Sequence, residues 1–142
     1  MRHPKEADEQ KVAWAFLERL IIGGRPLADY SYHVPNGMWV AGNAKTRAQY
    51  MTSMKSQGFK AGVSDIKISY PVQPYHGAYI ELKRKGARPS DLRQDQRDWL
   101  ELMASVGYWV AVARGADEFI SYVRQYLAKN EQPELDFWGL LQ

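Results

Sequence analysis

Residues 79–83 read Tyr-Ile-Glu-Leu-Lys, and residues 62–65 upstream of them read Gly-Val-Ser-Asp. Side chains alternate along a strand, so Glu81 and Lys83 share one face while Ile80 and Leu82 point to the other, toward a core. The segments 65–70 and 76–83 are separated by Pro71-Val72-Gln73-Pro74, too proline-rich to continue either ladder, and they predict a hairpin. Pairing of that hairpin brings Asp65 toward Glu81. Two carboxylates so placed repel unless a cation lies between them. Asp65, Glu81 and the backbone carbonyl of Leu82 then form an oxygen site suited to Mg²⁺ or Mn²⁺ with several waters retained. Such a site fits phosphodiester hydrolysis, in which the cation lowers the pKa of a bound water and Lys83 orients the hydroxide or stabilises the transition state. On its own, a Glu-x-Lys triplet is equally the mark of an exposed cross-strand charge pair.

The next element downstream opens at Pro89, with Ser90-Asp91 as cap residues, and predicts a helix to about residue 105 before Gly107. Its apolar stripe is Leu92, Gln96, Trp99, Leu100 and Met103. Gln96 in the middle of it is either a satisfied core amide or a group facing the cleft. On the second reading, Gln96→Leu loses activity with unchanged or raised thermal stability. Lys83, Arg84, Lys85, Arg88, Arg93 and Arg97 surround this region; they supply the cation density that a polyanionic backbone attracts, or simply a solubilising surface. Residues 108–113 (Tyr-Trp-Val-Ala-Val-Ala) predict a strand buried on both faces, and 116–128 a final helix packed through Phe119, Ile120, Val123 and Leu127.

Upstream, residues 6–22 predict a helix with Ala13, Phe16, Leu17, Leu20 and Ile21 on one stripe and Gly23-Gly24 as its stop. The stripe extends backward through Glu9 and Glu6. Acidity at a helix start accounts for Glu6, whereas Glu9 is a candidate for the site. Residues 29–34 predict a strand ended by Pro35-Asn36-Gly37. A helix follows over 44–57, with Met51 and Met54 in the core and Lys45, Arg47, Lys55 and Lys60 around it. The order α, β, α, β, β, α, β, α predicts an α/β fold in which helices flank a mixed sheet.

The 142 residues, 45% hydrophobic and 25% charged, suit one domain over the whole chain, 1–142. The absence of cysteine excludes disulfides, thiolate nucleophiles and cysteine-bound zinc or iron–sulfur sites. No apolar run is long enough for a membrane span, and the start MRHPKEADEQ is too polar for a targeting peptide, so a cytoplasmic location is expected and no membrane partner. A net charge of +3 hints only weakly at an anionic partner. There is no Gly-rich phosphate loop and no Ser-His-Asp series. Residues 129–142 form an apolar tail with Leu135, Phe137, Trp138, Leu140 and Leu141, which either folds back or contributes to association of two chains.

Taken in order, His33 to Gly37 (HVPNG), Gly62 to Asp65 (GVSD), Tyr79 to Lys83 (YIELK), Leu92 to Leu100 (LRQDQRDWL) and Gly107 to Ala113 (GYWVAVA) resemble the VRR-NUC domain. That domain is a branch of the PD-(D/E)XK nuclease superfamily, found in Fanconi-associated nuclease and in small stand-alone phage and bacterial proteins. The resemblance implies a restriction-endonuclease-like sheet flanked by helices. It also implies Mg²⁺- or Mn²⁺-dependent cleavage of branched DNA, at junctions or flaps, by a homodimer. By position it implies Asp65, Glu81 and Lys83 as the D…ExK motif, Gln96 as the glutamine of the next helix and Glu9 as the acidic residue of the first. Arg84, Lys85, Arg88, Arg93 and Arg97 would then contact DNA. Ser64 departs from the family, which has Pro there; this bears on entry to the strand rather than on chemistry. The competing expectation is a DNA-binding module that keeps the fold without cutting, although converging carboxylates serve no purpose in a protein that only binds phosphate.

Overall fold

Six consecutive buried residues, Ala78–Lys83, form the strand around which the rest of the chain is arranged in the computed structural model, which describes residues 5–35, 41–129 and 133. In chain order the elements are α1 (Glu6–Arg19), β1 (Ile21–Ile22), β2 (Arg25–Pro26), β3 (Ser31–His33), α2 (Ala44–Ser56), β4 (Ile66–Ile68), β5 (Ala78–Lys83), α3 (Gln94–Ser105), β6 (Trp109–Arg114) and α4 (Gly115–Leu127). The main sheet has the order β3-β4-β5-β6; β3/β4 and β4/β5 are antiparallel, and β5/β6 are parallel. This is the mixed α/β sheet that the sequence predicts, with α3 as the crossover that a parallel pair requires.

Strand alternation divides the side chains between two layers. Ile66, Ile68, Ile80, Leu82, Trp109, Ala111 and Ala113 pack with Ala13 and Leu17 of α1 and with Phe119, Val123 and Tyr126 of α4. On the opposite face, Tyr79, Val110 and Val112 pack with Leu92, Trp99, Leu100 and Met103, so α3 covers that side. β6 is buried through both sets, as its unbroken apolar run predicts.

Four local readings are corrected, the first at α3, which opens at Gln94 rather than near Ser90-Asp91 because Pro89–Asp91 form a separate 3-10 turn. The first helix stops at Arg19 rather than running to residue 22, because the chain turns extended at Leu20 and forms the small hairpin β1/β2 around Gly23-Gly24. Ile21 is therefore 62% exposed instead of lying on the buried stripe. The strand expected over 29–34 shortens to β3, since residues Leu27–Tyr30 form a 3-10 turn in which Leu27 is the buried anchor. Finally, α2 forms where expected, capped by Asn43 accepting from the Thr46 N–H at 2.9 Å, yet it buries none of its residues. Met51 and Met54 are only partly covered, so neither belongs to the core. Helical spacing identified the helix but could not supply a partner surface for it. No helix among the described residues is long and apolar enough to cross a membrane. The expected tail, 129–142, lies outside the described residues apart from Lys129 and Pro133.

Candidate active site

Asp65 sits one residue before β4, opposite Glu81 in the register that pairs Ile66 with Ile80. Gly62 brings the chain to that point. Its φ of +90° is a conformation that side-chain-bearing residues rarely adopt, and a Cβ there would stand 2.5 Å from the backbone oxygen of Asp95, so the loop lies directly on the first turn of α3. The Gly-Val-Ser-Asp segment thereby ties the Asp65 end of the sheet to the helix that carries Gln96. Ser64 is wholly buried, and its hydroxyl has no partner among the described residues, but the chain still enters β4 in register.

Beyond Ile80, β5 has no strand beside it on the β4 side among the described residues, and the Asp65 carboxylate fills the gap by accepting from the Leu82 N–H at 2.8 Å. The N–H and C=O of one strand residue point to the same side, so the Leu82 carbonyl faces this edge too. The Asp65 N–H donates to Glu81 Oε2 at 3.3 Å. Behind Asp65, its carbonyl accepts from the Val34 N–H at 2.7 Å and from His33 Nδ1 at 3.0 Å, which fixes the ring with its proton on Nδ1.

Gln96 completes the cluster. Its amide group donates to Glu81 Oε1 at 2.8 Å, and its carbonyl accepts from Lys83 Nζ at 3.1 Å and from the Arg93 N–H at 2.9 Å. Lys83 Nζ itself stands 3.8 Å from Glu81 Oε1. All four residues, Asp65, Glu81, Lys83 and Gln96, are buried. Gln96 is thus both of the things the sequence left open, a satisfied amide and a member of the acidic cluster, and it also caps the first turn of α3. The expectation for Gln96→Leu is revised accordingly. Leucine would strip partners from Lys83, Glu81 and the Arg93 N–H together, so the variant should lose stability by about 1–3 kcal/mol as well as activity. Thermal or urea unfolding of Gln96→Leu checks this, and an unchanged midpoint would contradict it.

Burial raises the Glu81 carboxyl well above its ordinary value, and the negative charge of Asp65 adds to the effect; Lys83 opposes it. Burial also raises Asp65, against the Leu82 N–H, the Glu81 contact, Lys83 and His33. Both carboxyls are thus pushed toward the neutral form, and the charge of Asp65 adds to the strain of ionising Glu81. A divalent cation would relieve it, and the donor set fits a hard cation: two carboxylates and a carbonyl, all oxygen. Among the described residues no three His, Asp or Glu side chains gather as a ready-made cage, so water would have to supply the remaining ligands, as Mg²⁺ prefers.

Glu9 does not join this cluster. Its Oε2 accepts from the Ala116 N–H at the start of α4, where a carboxylate also meets the positive end of the helix dipole. It is Glu6 whose carboxyl feels the site: packing around it and then the charge of Asp65 raise it, while Lys83 and Arg84 lower it. Two glutamates three residues apart on one helix face, both in the first turn of α1, cannot be told apart by spacing, and the sequence favoured Glu9 over Glu6.

Of the basic residues, Arg84, Lys85, Arg88 and Arg93 are exposed around the cluster. Arg84 lies 3.7 Å from Asp91, and Arg93 lies 3.1 Å from Asp95. Arg97 is half-buried and turned toward the Pro89 carbonyl, with its Nε covered and unpartnered among the described residues. One of its N–H groups thus supports the Pro89 turn.

The same sheet and flanking helices recur in a solved structure described as a VRR_NUC domain protein. It is similar with a TM-score of 0.76 at 30% sequence identity, over 92% of this chain and 94% of that one. The sequence profile of the VRR-NUC domain matches residues 38–117, more than half of the chain. Fold and profile together define a nuclease-type, DNA-processing domain. The chain belongs to the VRR-NUC family, consistent with placement among PD-(D/E)XK nucleases. Comparison with curated proteins gives no match.

Proposed function

We propose that this chain is a Mg²⁺- or Mn²⁺-dependent endonuclease that hydrolyses phosphodiester bonds in branched DNA, at junctions or flaps, and that it acts as a homodimer. The observation that carries the chemistry is the convergence of Asp65, Glu81 and Lys83 on one buried edge, held by Gln96. Asp65, Glu81 and the Leu82 carbonyl would hold the cation. When bound, it activates a water and offsets charge on the phosphoryl oxygens.

The protein's own groups do the rest. Gln96 fixes Glu81 through Oε1, which leaves Oε2 turned toward Asp65. Lys83 keeps its ammonium on a neutral amide oxygen, at the edge of ion-pair distance from Glu81, so its charge stays available to a phosphate oxygen as negative charge grows there. Arg84, Lys85, Arg88 and Arg93 would guide and anchor the DNA backbone.

The preference for branched DNA and the homodimer are supported by the family resemblance and by symmetry. One site cuts one strand, and paired cuts call for two sites related by a two-fold axis. Incubating the protein with labelled branched and linear DNAs in Mg²⁺, Mn²⁺ or EDTA tests the reading. Cleavage of the branched set in metal alone is expected, and no cleavage of any DNA in either metal would overturn it. Light scattering should return about twice the 16.3 kDa chain mass.

The two glutamates of α1 are separable by experiment. Glu9→Ala should cost about 1–2 kcal/mol of stability by leaving the Ala116 N–H without its acceptor. Glu6→Ala should leave unfolding within about 0.5 kcal/mol of the parent and lower cleavage by about 10–100-fold through the charge balance at Asp65. The reverse pattern, with Glu9 the more damaging to cleavage at equal stability, would return Glu9 to the site.

A further inference from the structure

The sheet face that carries Glu81 and Lys83 continues into a second row of side chains that cleavage chemistry does not use. Tyr32 pairs with Lys67, Lys67 with Tyr79 and Tyr79 with Val110, so these residues form one transverse row. Tyr79 lies two residues before Glu81, which places the row about 7 Å along the strand from the acidic cluster on the same face. α3 covers the Tyr79 and Val110 end of the row. Tyr32, on the edge strand, is 50% exposed.

Lys67 is the centre of this row. Its Nζ stands 4.8 Å from the ring centroid of Tyr79, 5.1 Å from that of Tyr108 and 6.0 Å from that of Tyr32. Among the described residues no carboxylate lies within ion-pair distance of it. A half-buried ammonium surrounded by ring faces is held in place by them, but its charge is not neutralised. The rings are themselves fixed, since Tyr79 meets Trp99 edge-on at 5.5 Å and Tyr108 at 5.1 Å. The result is an oriented cation with an exposed aromatic ring beside it, one strand step from the site of cleavage.

That pairing of cation and ring is how grooves for single-stranded nucleic acid are built: the cation takes a backbone phosphate and the ring takes a base face. We propose that Tyr32 and Lys67 form a nucleotide subsite beside the scissile position, in which Lys67 binds the neighbouring phosphate and Tyr32 stacks on the base of that nucleotide. The proposal rests on the nuclease reading and deepens it. A base can stack on Tyr32 only if it has left the duplex, so the strand entering this subsite is unpaired there. A second copy of this chain, carrying the same net positive charge, is the less complementary occupant.

The test uses the full chain and a fluorescein-labelled DNA fork with unpaired arms, against a blunt duplex of the same sequence, both in EDTA. Tyr32→Ala should weaken fork binding by about tenfold while duplex binding stays the same, and Tyr32→Trp should restore it. Lys67→Gln should weaken fork binding and reduce the slope of log Kd against log salt by about one. In Mg²⁺ the loss should appear in KM. Wild-type affinity for the fork in both Tyr32→Ala and Lys67→Gln overturns the subsite, even if Asp65→Ala abolishes cleavage and the nuclease reading stands. Absence of cleavage by the parent protein overturns the nuclease reading, whereas the binding comparison still decides the subsite. Conversion of a dimer to a monomer by Tyr32→Ala, with fork binding unchanged, would make the row an interface between copies and likewise overturn the proposal.

Discussion

Replacing Glu81 by glutamine is expected to abolish cleavage and to leave the cation-free protein at least as stable as the parent. Glu81 is 1% exposed, and burial together with the nearby Asp65 raises its carboxyl well above the ordinary 4.5. Without a cation, burial thus favours the neutral form of this carboxyl, and glutamine supplies a neutral side chain of the same shape. The stability consequence has a definite sign. A group whose folded pKa is raised contributes stability fully below its unfolded pKa, near 4.5, and loses that contribution as pH rises through the folded value. In EDTA the parent should thus become less stable from about pH 4.5 upward on account of this group, and Glu81→Gln should flatten that decline. Mg²⁺ should stabilise the parent at neutral pH and do little for the variant. Activity should fall by about 10³-fold or more, because the variant lacks a charge needed both to hold the cation and to place the water. Thermal melts in EDTA and in Mg²⁺ between pH 4 and 8, alongside a cleavage assay, check both halves. A variant that cuts at the parent rate, or that melts well below the parent in EDTA at pH 8, would contradict the assignment.

Lys83→Met should reduce kcat by about 10²–10³-fold with little change in DNA affinity. Methionine keeps the apolar stem packed in the buried position and removes only the ammonium. Gln96 keeps the Arg93 N–H as a donor, and Glu81 keeps the Gln96 amide, so no buried acceptor is stranded by the change. Lys83 also lowers the pKa of both Asp65 and Glu81, so both carboxyls should move further upward in the variant. Single-turnover rates separated from binding by a saturation series would distinguish the outcomes. A rise in Kd with an unchanged rate at saturation would make Lys83 a phosphate anchor instead.

The hairpin that joins Asp65 to Glu81 was readable because its signals are local: a period of two in 79–83, a proline-rich interruption, and glycine before the aspartate. The β6 strand was readable for the same reason. What sequence could not show was direction around a helix end. Glu6 and Glu9 lie on one face of α1, and only the placement of α4 decides that Glu9 caps it. The same gap explains α2, whose methionines have helical spacing but meet no surface among the described residues that buries them. Lys67 and Tyr32 went unnoticed because neither lies in a motif. Their significance comes from cross-strand register, which the sequence specifies only through the paired strands as a whole.

The Asp65 carboxylate accepts the Leu82 N–H at a point where β5 has lost its neighbouring strand. An unpaired strand edge is a template for another chain's strand, and proteins guard such edges with charge or cover. Here the guard is the same carboxylate that the chemistry needs. Cutting it back to alanine would bare a stretch of backbone at the fully buried strand β5, inviting self-association that could be mistaken for a folding defect. Asparagine at position 65 keeps an acceptor for Leu82, which makes Asp65→Asn the sounder inactive form for studies of bound DNA.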